Sequence, residues 1–134
     1  MTEQFRRIEF WVPLPPNVAN ARGHWAKLRR ERNVWTTAAT IEMTRQGVTW
    51  PRHPWDRCRL QCHFFVWNLM DEDNLAARQK PILDMLKGRH HNGFFVDDDP
   101  RHLELLPPTQ QIDRKDQRVQ IVLERLNSVI GPNA

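Results

Sequence analysis

Only two cysteines, Cys58 and Cys62, occur in the 134 residues, so a disulfide framework is out of reach and a Cys-only zinc site lacks its other half. The pair stands four apart in a segment that alternates like a strand, which holds the Cα atoms about 13 Å apart, too far to bridge. Two half-buried thiols are expected. No run approaches the roughly 18 apolar residues of a membrane span, and the opening MTEQFRRIEF lacks the charged-then-apolar order of a secretory leader. A soluble, cytoplasmic protein with no membrane partner is expected. Internal repeats and low-complexity tracts are absent as well.

What the chain does have is a core. Apolar residues make up 40% and charged residues 27%, with six Trp and six Phe, a composition that excludes the disordered class. The length suits one domain over residues 1–134, with a frayed tail from about 128. The net charge of +4 is unevenly spread: residues 1–60 hold eleven Lys/Arg against five Asp/Glu, and residues 61–134 hold nine against eleven. A basic first half suits a polyanion. The acids of the second half would repel that partner unless a divalent cation neutralises them.

Ile8, Phe10 and Val12 alternate with polar neighbours and mark a strand over 5–12, ended by the proline-rich loop Pro13–Asn17. A helix is expected over about 24–46, with Leu28, Trp35, Ala38, Ala39 and Ile41 on one face and Gly47 as its stop. Alternation at Leu60, Cys62, Phe64 and Val66 gives a second strand. A helical stretch follows from Leu75 to Leu86, beginning or kinking at Pro81. Phe94–Val96 looks strand-like; Leu103 and Leu105 suggest a strand, residues 107–116 a polar loop, and Val119, Ile121 and Leu123 a last strand. The expected fold class is α/β (mixed α+β), a mixed sheet of about four strands covered by two main helices.

Asp71 and Asp73 stand two apart just past the second strand. If extended geometry persists they share a side, about 6–7 Å apart at Cα. Like charges that close resist joint ionisation without a cation, and Mg²⁺, which takes hard oxygen ligands and keeps several waters, fits that need. Asp97, Asp98 and Asp99 form a second acidic group after Val96. An acid from it would complete a three-carboxylate site able to activate water and neutralise a scissile phosphate. The plainer alternative is that Asp71–Asn74 caps a helix and Asp97–Pro100 is an acidic turn.

In order along the chain stand Val12-Pro-Leu-Pro-Pro-Asn17, a polar and basic helix, a strand, Asp71-Glu-Asp-Asn-Leu75, a helix with Lys80 four before Asp84, and Gly93-Phe-Phe-Val-Asp-Asp98. This ordered set, spanning roughly 5–126, resembles the RusA family of Holliday-junction resolvases, small endodeoxyribonucleases. The resemblance implies a metal-dependent nuclease acting on branched DNA such as a four-way junction, with Mg²⁺ as cofactor, Mn²⁺ as substitute and no nucleotide cofactor. It implies Asp71, Asp73 and Asp98 as catalytic, metal-binding carboxylates, with Asp97 as the neighbouring acid. It also implies a homodimer cutting two strands. The catalytic lysine maps to Lys80, which stabilises transition-state charge. The family position, four after the second aspartate, is Ala77; Lys80 lies three beyond, about 60° short of a full helical turn. The segment Trp67–Met70 is uncharged where the family tends to carry arginines, and Arg78 is the compensating cation.

Arg22, His24, Lys27, Arg29, Arg30 and Arg32 give the first helix and its approach a phosphate-binding face, which Asn74 and Arg78 extend. Such contacts confer affinity without sequence choice. Trp25 either packs in the core or stacks on an unpaired base. A non-catalytic junction-binding protein with a degenerate site is the alternative reading. His63, His90, His91 and His102 are too scattered to suggest zinc.

Overall fold

Along residues 58–66 every second side chain is buried, and that alternation builds the central strand. The computed structural model describes residues 6–17, 25–88 and 93–126; Arg22, His24, His90, His91 and the tail expected to fray from about 128 lie outside them. Strands β1 (Arg6–Pro13), β2 (Cys58–Val66), β3 (Leu103–Leu105), β4 (Thr109–Ile112) and β5 (Arg118–Arg125) alternate with helices α1 (Trp25–Arg45) and α2 (Glu72–Leu86). The fold is mixed α+β. Its single five-stranded sheet runs β1-β5-β2-β3, with β4 also on β2. β5 pairs antiparallel with β1 and β2, whereas β3 and β4 lie parallel to β2 along one edge.

One face of the sheet buries Phe10, Val12, Leu60, Phe64, Ile121 and Leu123. α1 meets that core through Trp35, Ala39 and Met43 at a spacing of four, not through Leu28 and Ile41 as the sequence suggests; Ile41 is exposed. Trp35 Nε1 donates to the Pro13 carbonyl at 2.8 Å, tying α1 to the end of β1. The helix stops where expected. Gly47, at φ 82°, lets Val48 N–H reach the Met43 carbonyl at 2.9 Å and its own N–H reach that of Thr44 at 3.0 Å, the paired bonds of a left-handed cap that only glycine adopts without strain.

α2 runs from Glu72 to Leu86 with Pro81 inside it and itself buried, so the helix does not begin at the proline. The missing N–H leaves the Ala77 carbonyl without its helical donor. Leu75, Ile82 and Leu86 face the sheet. Phe94–Val96 is not a strand: it makes one isolated bridge, Lys87 to Phe95. Packing holds it instead, with the Phe94 ring 5.2 Å from both Trp50 and Trp55. Gly93 passes so near Gly88 that any Cβ would collide with its backbone.

The other face of the sheet carries cross-strand ion pairs. Arg7 reaches Glu124, Arg59 reaches Glu124 and Glu104, and Arg57 reaches Glu104, at 3.3–3.8 Å. Arg118 lies 4.5 Å from the Trp11 ring centre and 4.3 Å from that of Phe65, and pairs with Asp113 and Asp116.

Cys58 and Cys62 are unbridged and buried, and burial pushes each thiol from its ordinary 9.0 up to about 12. Neither thiol should react with a disulfide reagent at pH 8 until denaturant is added. A thiol held protonated in the fold favours folding fully below pH 9 and loses that contribution as pH rises toward 12. Urea titrations between pH 9 and 11 should show stability falling across that range, and fast labelling of the native protein would contradict the burial.

Candidate functional site

A parallel strand pair needs a crossover, and α2 supplies it between β2 and β3. It therefore starts where β2 ends and finishes where β2 begins. Cys58, the first residue of β2, donates its N–H to the His102 carbonyl at 3.0 Å, and Trp55 donates to that of Phe94 at 2.9 Å. The loop carrying Asp97–Asp99 is thereby fixed beside the start of β2.

At the opposite end, the segment Trp67–Met70 is braced on both sides. Gln110 of β4 accepts from Met70 N–H at 2.9 Å and donates to its carbonyl at 2.7 Å. Arg114 donates to the Trp67 carbonyl at 3.2 Å and to Asn68 Oδ1 at 3.3 Å, and its guanidinium lies 5.3 Å from the Trp67 ring centre. Arg78 is not displayed toward a ligand as expected. It is half-buried, donating to the Pro15 carbonyl at 2.8 Å and to Met70 Sδ at 3.4 Å, and burial pulls its pKa down. Asn17 Nδ2 donates to Asn74 Oδ1 at 3.3 Å. Both contacts dock the proline-rich loop against the first turns of α2.

Extended geometry does not persist from Asp71 to Asp73. Asp71 is the N-cap, with extended φ and ψ, and its Oδ1 accepts from Asn74 N–H at 2.8 Å; Glu72 and Asp73 lie in the first helical turn. The capping alternative is thus realised, and the three acids sit at the positive end of the helix dipole, which favours them. Asp71 and Asp73 remain exposed, and the cap uses one oxygen of Asp71.

In the second acidic group each residue is differently engaged. Asp97 accepts from Asp98 N–H at 2.8 Å and faces Lys87 Nζ at 3.8 Å; chiefly that backbone bond, then its contact with the Asp98 side chain and the nearby Lys87 charge, hold its carboxyl below the usual range. Asp99 Oδ1 accepts from the N–H groups of Arg101 and His102 and meets His102 Nδ1 at 2.9 Å. It is the cap of an acidic turn.

The expected convergence of Asp71, Asp73 and Asp98 within one chain does not occur. Among the described residues no three His, Cys, Asp or Glu side chains form a group able to hold a metal ion. The physical reason is the crossover: fifteen helical residues, about 22 Å of helix, separate the two acidic ends.

Lys80 is exposed on α2. Asp73, Ala77, Lys80 and Asp84 recur at helical spacing, so Lys80 shares the stripe of Asp73 two turns on. Asp84 pairs with Arg32 of α1, which takes Arg32 out of the free basic set. Lys27, Arg29 and Arg30 stay exposed on α1, whose first turn has no acid. Sequence reasoning missed Arg114, the cation that does stand beside Trp67–Met70; it lies in a stretch read as a plain polar loop, and only the parallel pairing of β4 with β2 brings it there.

No protein-family model matches this sequence, and no curated protein matches it significantly.

Capping and metal binding by Asp71 separate by substitution. Asp71→Ala should lower stability by about 0.5–2 kcal/mol, while Asp71→Ser and Asp71→Asn keep most of it, since both cap well. Thermal or urea unfolding reads the difference, and an unaffected Asp71→Ala variant would refute the capping role.

Proposed function

We propose that the protein is a RusA-type endodeoxyribonuclease, metal-dependent and structure-selective, cleaving branched DNA such as Holliday junctions in recombination, repair or phage DNA processing. The observation that carries the reading is the exposed pair Asp71 and Asp73 on the braced first turn of α2, with Lys80 on the same helical stripe and the cationic face of α1 alongside. Two carboxylates and substrate phosphate oxygens are a set that Mg²⁺ accepts. The residues fit that ion: Asp71, through the oxygen not used in capping, and Asp73 would hold it. A Mg²⁺ or Mn²⁺ ion held there would supply a water of lowered pKa and would offset charge on the scissile phosphate.

The chain's own groups do the rest. Lys27, Arg29 and Arg30 bind the sugar–phosphate backbone, contributing affinity without base choice. Lys80 directs its ammonium to a phosphate oxygen as negative charge grows there. Asp98 stands in the turn at the other end of α2 and takes no part in the site that Asp71 and Asp73 form in one chain. A homodimer would supply two such sites for two strands.

Because Asp71 is a working cap and the acids of one chain stay apart, a non-catalytic junction-binding protein is the second reading. Incubating the protein with a mobile four-way junction and Mn²⁺ separates the two. The nuclease produces paired nicks; the binder shifts the junction on a gel and leaves it whole. Asp73→Asn should abolish nicking and leave the gel shift, and a fully active variant would overturn the metal role.

A further inference from the structure

Between α1 and the second half of α2 lies an open groove of about 600 Å³, within the size range of small-ligand sites. Half-buried Leu28 and Met85 and buried Pro81 form its floor, and exposed Arg29 and Lys80 its rim. The Arg32–Asp84 ion pair joins the two helices there and neutralises the one acid lining the groove. Arg29 and Lys80 make no ion pair among the described residues, so the rim keeps two uncompensated positive charges.

Trp25, also lining the groove, is 79% exposed. The chain has six tryptophans, and it is the odd one. Trp11, Trp50, Trp55 and Trp67 each have a ring or cation partner, and Trp35 has its hydrogen bond. Trp25 has neither among the described residues. Its indole therefore offers a flat apolar face to the groove.

We propose that this groove holds one unstacked base of branched DNA, an inference resting on the nuclease reading and naming the part of the substrate that α1 and α2 take. The Trp25 indole stacks on the base, the apolar floor receives it, and Arg29 takes the phosphate beside it, leaving Lys80 for the scissile phosphate. A π-face and flanking negative charge are common to every nucleotide, so the groove selects the unpaired state rather than a sequence. Paired duplex DNA offers only phosphates and meets the rim alone. An acidic peptide would satisfy the rim and leave the indole bare. Because Lys80 and Asp73 share a stripe of α2, the strand leaving the groove is led toward the acidic end.

The test uses the full chain in EDTA, which removes any contribution from cleavage. Fluorescence binding is measured on a duplex bearing one unpaired 2-aminopurine and on the same duplex fully paired. Wild-type protein should quench the 2-aminopurine and bind the bulged duplex on the order of tenfold more tightly than the paired one. Trp25→Ala should erase that preference and leave paired binding unchanged, Trp25→Phe should restore most of it, and Arg29→Ala should weaken both duplexes alike. Equal binding of bulged and paired DNA, or a preference that survives Trp25→Ala, overturns the proposal. So does a dimer that Trp25→Ala dissolves, because a second copy then covers the indole. Bulge preference without nicking in Mn²⁺ overturns the nuclease reading alone; nicking without a Trp25-dependent preference overturns this inference alone.

Discussion

Parallel pairing of β2 with β3 and β4 is the constraint from which the rest follows. Strands that run the same way cannot be closed by a tight turn, so the chain leaves β2, returns along the sheet as α2 and re-enters beside the start of β2. The helix is pressed onto the sheet by Leu75, Ile82 and Leu86, and its two ends inherit separate neighbourhoods. One meets the proline-rich loop and β4; the other meets the Phe94 cluster and the acidic turn.

Electrostatics then divides along the same axis. Asp71, Glu72 and Asp73 crowd the helix end whose dipole welcomes negative charge, which offsets part of their mutual repulsion. Asp97 and Asp99 are stabilised differently, by backbone N–H groups, Lys87 and His102. Asp98 contributes mainly its backbone N–H to that turn. Each cluster is self-consistent in one chain, held by its own helix end or its own backbone N–H groups and cations.

Much of the fold was legible beforehand. β1, β2 and β5 bury one face and expose the other, and that contrast writes a period of two into the residues themselves. Gly47 marks the end of α1 because the left-handed cap needs it. β4 left no such trace: Thr109–Ile112 is largely exposed along its length, so pairing with β2, not burial, makes it a strand. Phe94 and Phe95 misled in the opposite sense, since their burial reflects ring packing at a chain crossing. The acidic residues are visible in the sequence as types, but their distance in space is fixed by topology, to which spacing along the chain is blind. Arg78 stands out in the sequence for its charge, but its length lets it lie half-buried with its guanidinium serving the Pro15 carbonyl.

The ion ladder on the outer face of the sheet has a consequence for how the molecule meets other charged bodies. Arg7, Arg57, Arg59 and Arg118 are each matched by a carboxylate, so that side is nearly neutral at a distance, whereas Lys27, Arg29 and Arg30 on α1 are not. On the helical side the charge is divided, positive along the first turns of α1 and negative at the start of α2, where Asp71, Glu72 and Asp73 are exposed. A charged body approaching the molecule therefore meets one side whose charges cancel in pairs and another whose two helices present opposite signs.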